Sequence, residues 1–419
     1  MYFNNFPCRA LVTTLVAVML AACGGGDSGS GGNGGGSTIV TPAPNPPTAA
    51  NVLPVVVDSG PTGNSVNRLY TSVTICLPGS TSQCQTIDRI LVDTGSTGLR
   101  VLSSVMSPGL NLARLTGNTG LPLLNCAQFV DNSFAWGPVA VADILLGGKR
   151  AGSVPIQVIA EPAFNRLSAT CSSGDEVTSP ATLDANGILG VGLYKDDCGA
   201  ACASTAANGF YYTCASASCF STARSVASIE KQLKNPVPLF ATDNNGILID
   251  LPAVGFAGAP TLSGSLVFGI GTQGNNQVNQ FTPGTVLTTR SGNFTTLLGG
   301  RSLDTSYLDT GSNGLFFDTN LMPVCFGGSG SGFYCPNALT TFSATMVGAN
   351  GVSVPVSFSV SNALASFSSG TLAAIPTLAG NALDSRTFDW GLPFFYGRRV
   401  FVGIEGQAST LGTGPFYAF

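Results

Sequence analysis

Two segments of the chain share a pattern in which an apolar strand runs directly into an aspartate. Residues 93–99 read Asp-Thr-Gly-Ser-Thr-Gly-Leu and residues 309–315 read Asp-Thr-Gly-Ser-Asn-Gly-Leu. A carboxylate at the end of a buried run costs free energy unless hydrogen bonds hold it or the chemistry requires it. The spacing is too long for a solenoid repeat and suits two units of ordinary domain size. We therefore expect two similar lobes, over residues 53–245 and 246–419.

The sequence beyond residue 52 predicts an all-β fold. Short apolar or alternating runs, such as those at 53–58 and 68–77, are separated by Gly, Pro, Asn and Ser, which is typical of strands and turns. The clearest helical candidate is 225–235, which ends before Pro236. We expect an all-β chain with minor helix.

The chain contains no histidine, and only 9% of its residues are charged. This composition excludes Ser-His-Asp and Cys-His catalysis and histidine-ligated metals. Acid–base chemistry must therefore use carboxylates, Lys, Tyr or Cys. With a net charge of −4 and no basic patch, we expect no nucleic-acid partner, no cofactor and no metal.

The N-terminus is typical of an exported bacterial lipoprotein. Residues 1–22 contain an apolar run over 10–20, and Leu-Ala-Ala-Cys, ending at Cys23, resembles a lipobox in which this cysteine carries lipid. The alternative is an ordinary secretory signal with a coincidental cysteine. Residues 23–52 are rich in Gly and Ser, then in Pro, and predict a tether. We expect a lipid anchor in the bacterial cell envelope, with the outer membrane favoured by Gly24.

The cysteines predict disulfide bonds. An even set in an exported chain favours a disulfide framework. Cys76 with Cys84, and Cys325 with Cys335, each enclose a glycine-containing turn and are the simplest pairs to propose. Zinc is the alternative for part of the set, but no histidine is present and the spacing differs from that of standard zinc sites. The pairing of six cysteines stays open: 126, 171, 198, 202, 214 and 219.

The doubled motif resembles that of the pepsin-like (retropepsin-clan) aspartic proteases. Three further segments, 184–194, 264–271 and 390–405, are similar to segments of that family and occur in the same order. The combination of lipobox, glycine-rich tether and doubled motif is most similar to an uncharacterised bacterial lipoprotein family with this fold. The resemblance implies a bilobal pepsin-like fold with pseudo-twofold related lobes and minor helix.

The resemblance also implies a role for each motif position. Two facing carboxylates share one proton, so Asp93 and Asp309 are the candidate catalytic pair. The supporting positions turn the chain, cross-link the motifs or orient the carboxylates: Thr94, Gly95 and Ser96, with Thr310, Gly311 and Ser312. The alternative is that each motif only builds a turn at the end of a strand.

The first lobe departs from the family at the hairpin that covers the substrate. Residues 126–148 contain no Tyr, although Phe129, Phe134 and Trp136 could provide cover. The alternative for Trp136 is packing within a strand or hairpin. Arg100 stands where the family has an apolar residue, and strand alternation predicts that it points outward.

Three functions are compatible with these observations. The first is a membrane-tethered, monomeric aspartic endopeptidase that hydrolyses an extended peptide or protein substrate at acid pH. The second is an envelope lipoprotein that keeps the fold and binds a peptide or other ligand without turnover. The third is a surface adhesin or scaffold that does not depend on Asp93 or Asp309.

Overall fold

The computed structural model describes residues 49–168, 170–215, 219–278, 284–289, 291–382 and 384–419. The predicted signal peptide, the lipidation site at Cys23 and most of the predicted tether lie outside these residues. Asn51 is already buried, and the first strand begins at Val52.

The described residues are mostly β-strand, so the prediction of an all-β chain is confirmed. The strands before residue 245 are β1 Val52–Val57, β2 Leu69–Cys76, β3 Cys84–Asp93, β4 Thr97–Leu102, β5 Leu123–Gln128, β6 Phe134–Leu146, β7 Lys149–Ile159, β8 Gly187–Val191, β9 Tyr211–Cys214 and β10 Thr222–Arg224. Those after it are β11 Gly246–Asp250, β12 Leu262–Phe268, β13 Thr285–Leu287, β14 Phe294–Leu298, β15 Arg301–Leu308, β16 Leu315–Phe317, β17 Thr340–Val347, β18 Ser353–Val360, β19 Ala379–Gly380, β20 Phe388–Trp390, β21 Arg399–Gly403, β22 Ala408–Ser409, β23 Gly412–Thr413 and β24 Phe416–Ala418.

Helices are short throughout the described ranges. They are α1 Pro180–Leu183, α2 Ala200–Ser204 and α3 Ala363–Phe367, with single 3₁₀ turns elsewhere. No helix in this part of the chain is long and apolar enough to cross a membrane.

The predicted helix over 225–235 is wrong. Only Ile229–Lys231 forms a 3₁₀ turn there. The main-chain N–H of Ala227 donates to Cys202, and that of Leu233 donates to the hydroxyl of Tyr211 at 2.9 Å. A helix over this segment would need the N–H of Leu233 for its own i to i−4 ladder, and that group is used by the tertiary bond instead.

The chain segment that follows each aspartate motif has the same strand arrangement in both halves. In the first half, β8 lies between β3, to which it is parallel, and β4, to which it is antiparallel. In the second half, β20 lies in the same way between β15 and β16. Each motif therefore forms the turn between two strands that flank a third, inserted strand.

The two halves share one sheet. Strand β1 pairs along its whole length with β12, from Val52 opposite Val267 to Val57 opposite Leu262. This sheet contains fifteen of the described strands, and the second motif belongs to a separate sheet of seven. Val92 and Leu308, which precede the two aspartates, are both buried in one apolar core that draws on both halves.

Ten cysteines form five disulfides, as the sequence predicts. The expected pairs Cys76–Cys84 and Cys325–Cys335 are both present. The pairs that the sequence left open are Cys126–Cys171, Cys198–Cys202 and Cys214–Cys219. Of these five pairs, Cys126–Cys171 closes the longest loop, with a sequence separation of 45 residues.

Loop length predicts which disulfide contributes most to stability. Replacing Cys126 and Cys171 together by Ala should lower the free energy of unfolding by about 4 kcal/mol, because the cross-link removes more entropy from a longer unfolded loop. The same replacement at Cys198 and Cys202, which are 4 residues apart, should cost about 2 kcal/mol. Denaturant unfolding of the two oxidised variants checks the order, and equal costs would contradict the loop-entropy explanation.

Candidate active site

The two motif aspartates lie face to face. Asp93 ends β3, and Asp309 directly follows β15. A Cβ atom placed on Gly95 would lie 2.6 Å from Cγ of Asp309, and one placed on Gly311 would lie 2.9 Å from Oδ1 of Asp93. Each motif glycine therefore packs directly against the carboxyl group of the other motif. Any larger side chain at either position would push the two carboxyl groups apart.

Each carboxylate accepts two hydrogen bonds from its own motif. The N–H groups of Gly95 and Gly311 donate to Oδ1 of Asp93 and of Asp309, both at 2.7 Å. The hydroxyl of Ser96 donates to Oδ2 of Asp93, and that of Ser312 lies 2.9 Å from Oδ2 of Asp309. These are the contacts that the resemblance implied for the glycine and serine positions.

The two threonines cross-link the motifs reciprocally. The N–H of Thr310 donates to Oγ1 of Thr94 at 3.0 Å, and the N–H of Thr94 donates to Oγ1 of Thr310 at 3.1 Å. Each hydroxyl then donates to the main chain of the opposite strand, Thr94 to Leu308 and Thr310 to Val92. Both side chains are buried, where hydrogen bonds are electrostatically stronger than in water. The relative position of the two aspartates is therefore fixed by four bonds between the halves.

A third carboxyl group, on Asp389 of β20, lies beside the second motif. Its side chain is 4% exposed, and its Oδ2 is 2.6 Å from the hydroxyl of Ser312. The sequence does not single out this residue, because the segment that resembles the aspartic proteases begins one position later, at Trp390. Strand register identifies it. The position of the first half that matches Asp389 in its inserted strand holds the apolar residue Ile188.

The surroundings of Asp309 favour the protonated form of its carboxyl group. Desolvation, followed by the charges of Asp93 and Asp389, raises the pKa of Asp309 well above its usual range. Burial raises the pKa of Asp389 to about 8, although the hydrogen bond with Ser312 acts in the opposite direction. A proton can thus stay on Asp309 while a facing carboxylate accepts one, as general acid–base chemistry requires.

The aromatic residues expected to cover a substrate are placed differently. Phe134 and Trp136 lie in β6 and are each 1% exposed, in a cluster with two disulfides. The indole N–H of Trp136 donates to the carbonyl of Phe164. Phe129 is half-buried near the tip of the β5–β6 hairpin, and Val130 beside it is exposed. The structure therefore leaves only Phe129 of the three partly accessible.

The expectation that Arg100 points outward is wrong. All six residues of β4 are buried, so strand alternation gives Arg100 no solvent-facing side. The guanidinium donates to the carbonyl of Thr97 and lies 3.5 Å from Oδ2 of Asp197. Burial raises the pKa of Asp197 to about 6, even though the charge of Arg100 opposes this shift. Arg100 is thus part of a buried pair behind the first motif.

Asn67 connects the first half to the second motif and was also missed. Its amide donates to the carbonyls of Asn313 and Ile375, both at 2.8 Å. Its side-chain oxygen accepts from the N–H of Ile375 and from the hydroxyl of Tyr396. Its backbone φ of 50° is one that Asn adopts more readily than most residues. No partner lies nearby in sequence, so no local pattern indicates this role.

These features define an all-β protein with a mirrored pair of carboxyl groups, of which Asp93 is buried and Asp309 half-buried. The chain belongs to the family described as "Protein of unknown function (DUF3443)", whose model matches residues 47–419 and so includes both motifs and Asp389. No curated protein matches the chain.

The close contact between the motifs predicts an energetic coupling. Gly95→Ala should lower the free energy of unfolding by about 1–3 kcal/mol, because the added methyl overlaps the carboxyl group of Asp309. In an Asp309→Ala background the same change should cost less, since the overlapping atoms are gone. Gly109→Ala is the control, because no atom of the described residues lies within 4 Å of a Cβ there. Equal costs in the two backgrounds would contradict the juxtaposition of the motifs.

Removal of the buried Asn67 side chain should lower the free energy of unfolding substantially. Asn67→Ala leaves buried polar groups of the second half without partners, and should cost more than about 3 kcal/mol of unfolding free energy. Asn132→Ala is the matched control, since Asn132 has a similar φ of 71° but lies at the tip of the β5–β6 hairpin. The control should lose about 1–2 kcal/mol, the cost of placing Ala in the left-handed conformation. Similar losses at both sites would show that the effect comes from the backbone conformation.

Proposed function

We propose that this protein is an aspartic endopeptidase, in which Asp93 and Asp309 activate a water molecule to hydrolyse a peptide bond. The observation that carries this proposal is the mirrored contact of the two carboxyl groups with Gly95, Ser96, Gly311 and Ser312. A turn that only ended a strand would have no need for a second copy facing it across a threonine cross-link.

The position of the shared proton makes Asp309 the general acid and Asp93 the general base. Asp309 holds the shared proton, because its pKa is raised first by desolvation and then by the charge of Asp93. Asp93 then accepts a proton from water as the water oxygen bonds to the substrate carbonyl carbon. The electron pair of the carbonyl moves to its oxygen, which takes the proton from Asp309. Asp93 then gives its proton to the amide nitrogen as the C–N bond breaks, and a hydroxyl of the tetrahedral intermediate returns a proton to Asp309. Neither histidine, metal nor cofactor takes part.

The same proposal assigns a bilobal pepsin-like fold to the chain. It is supported by the repeated arrangement in which β8 and β20 are inserted between the strands on either side of each motif. An extended peptide would lie between the two halves, above the carboxyl pair. The exposed tip of the β5–β6 hairpin, with Phe129 and Val130, is the nearest equivalent of a substrate cover.

The cellular setting is part of the proposal. A lipid on Cys23 and a tether over 23–52 would hold a monomeric protease at the bacterial cell envelope, with the outer membrane favoured. Five disulfides support export to an oxidising compartment. The substrate would then be a peptide or protein of that compartment.

One observation favours a second candidate, a binding protein that keeps the fold without turnover. Phe134 and Trp136 belong to the core, and residues 126–148 provide no tyrosine hydroxyl that could reach a bound peptide. Such a protein would hold an extended ligand between the halves. It would not require Asp309 to carry a proton.

Peptide turnover by a soluble form of the protein distinguishes these candidates. Residues 24–419, produced with disulfides formed, should cleave members of a mixed peptide library between pH 3 and 7. The rate should fall as the pH rises through the pKa of Asp309, because the carbonyl oxygen then loses its proton donor. Asp93→Asn and Asp309→Asn should each lower kcat by at least about 100-fold.

Asp318→Asn is the control, because Asp318 forms an exposed ion pair with Arg301. Activity retained by either motif variant would contradict the proposed dyad. A folded wild-type protein without any turnover, but with peptide binding, would support the second candidate.

A further inference from the structure

The second motif contains a hydrogen-bond chain that the first motif lacks. The hydroxyl oxygen of Ser312 lies 2.9 Å from Oδ2 of Asp309 and 2.6 Å from Oδ2 of Asp389. In the first motif, the hydroxyl of Ser96 contacts Asp93, and the position that corresponds to Asp389 is the apolar Ile188. The opposite residue differs in the same way, since Leu91 faces Ile188 and Tyr307 faces Asp389. The apolar pair Leu91 and Ile188 of the first half therefore corresponds to the polar pair Tyr307 and Asp389 of the second half.

The hydrogen bonds among Asp309, Ser312 and Asp389 limit which of these groups can be ionised. A serine hydroxyl donates a single hydrogen, so Ser312 cannot donate to two carboxylates at once. Both contacts are hydrogen bonds only if one of the two carboxyl groups is itself protonated and donates to the oxygen of Ser312. Among the described residues, no Lys or Arg forms an ion pair with Asp389, Asp309 or Asp93 that could stabilise them all as anions. At least one of Asp309 and Asp389 must therefore be protonated.

The surroundings of Asp389 also favour its neutral form. Asp93 and Asp309 face it from the two motifs, Tyr307 from β15 and Tyr417 from β24, and none of these carries positive charge. Phe316 of β16, opposite Asp389 in register, does not titrate. Burial, assisted by the charge of Asp93, raises the pKa of Asp389 to about 8, although hydrogen bonds with Ser312 and Tyr307 act in the opposite direction. Within the described residues, Oδ1 of Asp389 has no hydrogen-bond partner, which suits an uncharged group better than an anion.

We propose that Asp389 is a positioning residue that remains protonated at neutral pH and, through Ser312, holds the proton of Asp309 on its inner oxygen. Asp389 donates to Ser312, and Ser312 donates to Oδ2 of Asp309. Oδ2 then accepts from Ser312, whereas Oδ1, which also accepts from the N–H of Gly311, keeps a lone pair on the side that faces Asp93, so the proton of Asp309 occupies Oδ1. When Asp389 ionises, the hydrogen of Ser312 turns to the new anion and this orientation is lost. The catalytic consequence rests on the proposed protease function, whereas the protonation of Asp389 does not.

The first arm of the test needs no activity. Carboxyl ¹³C NMR of the folded wild-type protein should show a group that titrates near pH 8, and Asp389→Asn should remove it. The folded pKa lies above the unfolded value, so this proton stabilises the protein fully below about pH 4, and the stabilisation is lost as the pH rises through 8. The free energy of unfolding of wild type relative to Asp389→Asn should therefore decrease from pH 4 to 8. Asp309→Asn should retain the signal, which keeps the assignment testable if the Asp389 variant does not fold.

The second arm uses peptide cleavage. Asp389→Leu makes this position apolar, as its counterpart Ile188 is in the first half. It should lower kcat about tenfold, because one orienting hydrogen bond is lost. KM should stay unchanged, because Asp389 does not contact the substrate. Asp389→Asn keeps a hydrogen-bond donor to Ser312 that cannot ionise. The decrease in rate that accompanies ionisation of Asp389 at alkaline pH should therefore be absent in this variant. In a Ser312→Ala background, neither substitution should have a further effect, since the connection is already broken.

The outcomes separate the two proposals. A titration near pH 8 without any turnover would contradict the protease function and leave the protonated Asp389 established. Turnover that depends on Asp93 and Asp309, without a carboxyl titrating above pH 6 and with an identical pH profile in Asp389→Asn, would overturn the role of Asp389 and leave the protease function intact.

Discussion

The reciprocal hydrogen bonds between Thr94 and Thr310 are the constraint on which the site depends. Two carboxyl groups in a desolvated position repel each other when both are ionised, so a rigid frame must hold them at a fixed separation. The threonines provide that frame because each is bonded to the main chain of the opposite motif. The pairing of β1 with β12 and the bonds of Asn67 extend the same frame outward, and they keep the halves in a single relative position.

The features that could be predicted from the sequence are those carried by local or repeated patterns. The doubled motif indicated which carboxylates would meet, and short cysteine spacings indicated the pairs Cys76–Cys84 and Cys325–Cys335. Alternating apolar runs indicated an all-β chain. Each of these signals lies within a few residues of the feature that it predicts.

The features that were missed depend on residues far apart in the chain. Arg100 is buried because every residue of β4 is covered by other strands, and its partner Asp197 lies nearly a hundred residues later. The segment 225–235 has helical spacing, but its N–H groups bond to Cys202 and Tyr211. Asp389 becomes informative only when the register of β20 against β15 is known. The hairpin aromatics Phe134 and Trp136 are core residues because two disulfides pack beside them.

The pairing of β1 with β12 has a consequence for the order of folding. Strand β1 contacts β2 at only two register positions, whereas all six of its residues pair with β12. During synthesis, the first half therefore emerges with its opening strand largely unpaired until residues 262–268 have been made. Contacts of such long sequence separation slow folding, and exposed strand edges favour association with other chains. A protein of this topology is expected to depend on chaperone protection of β1 while its second half is still being completed.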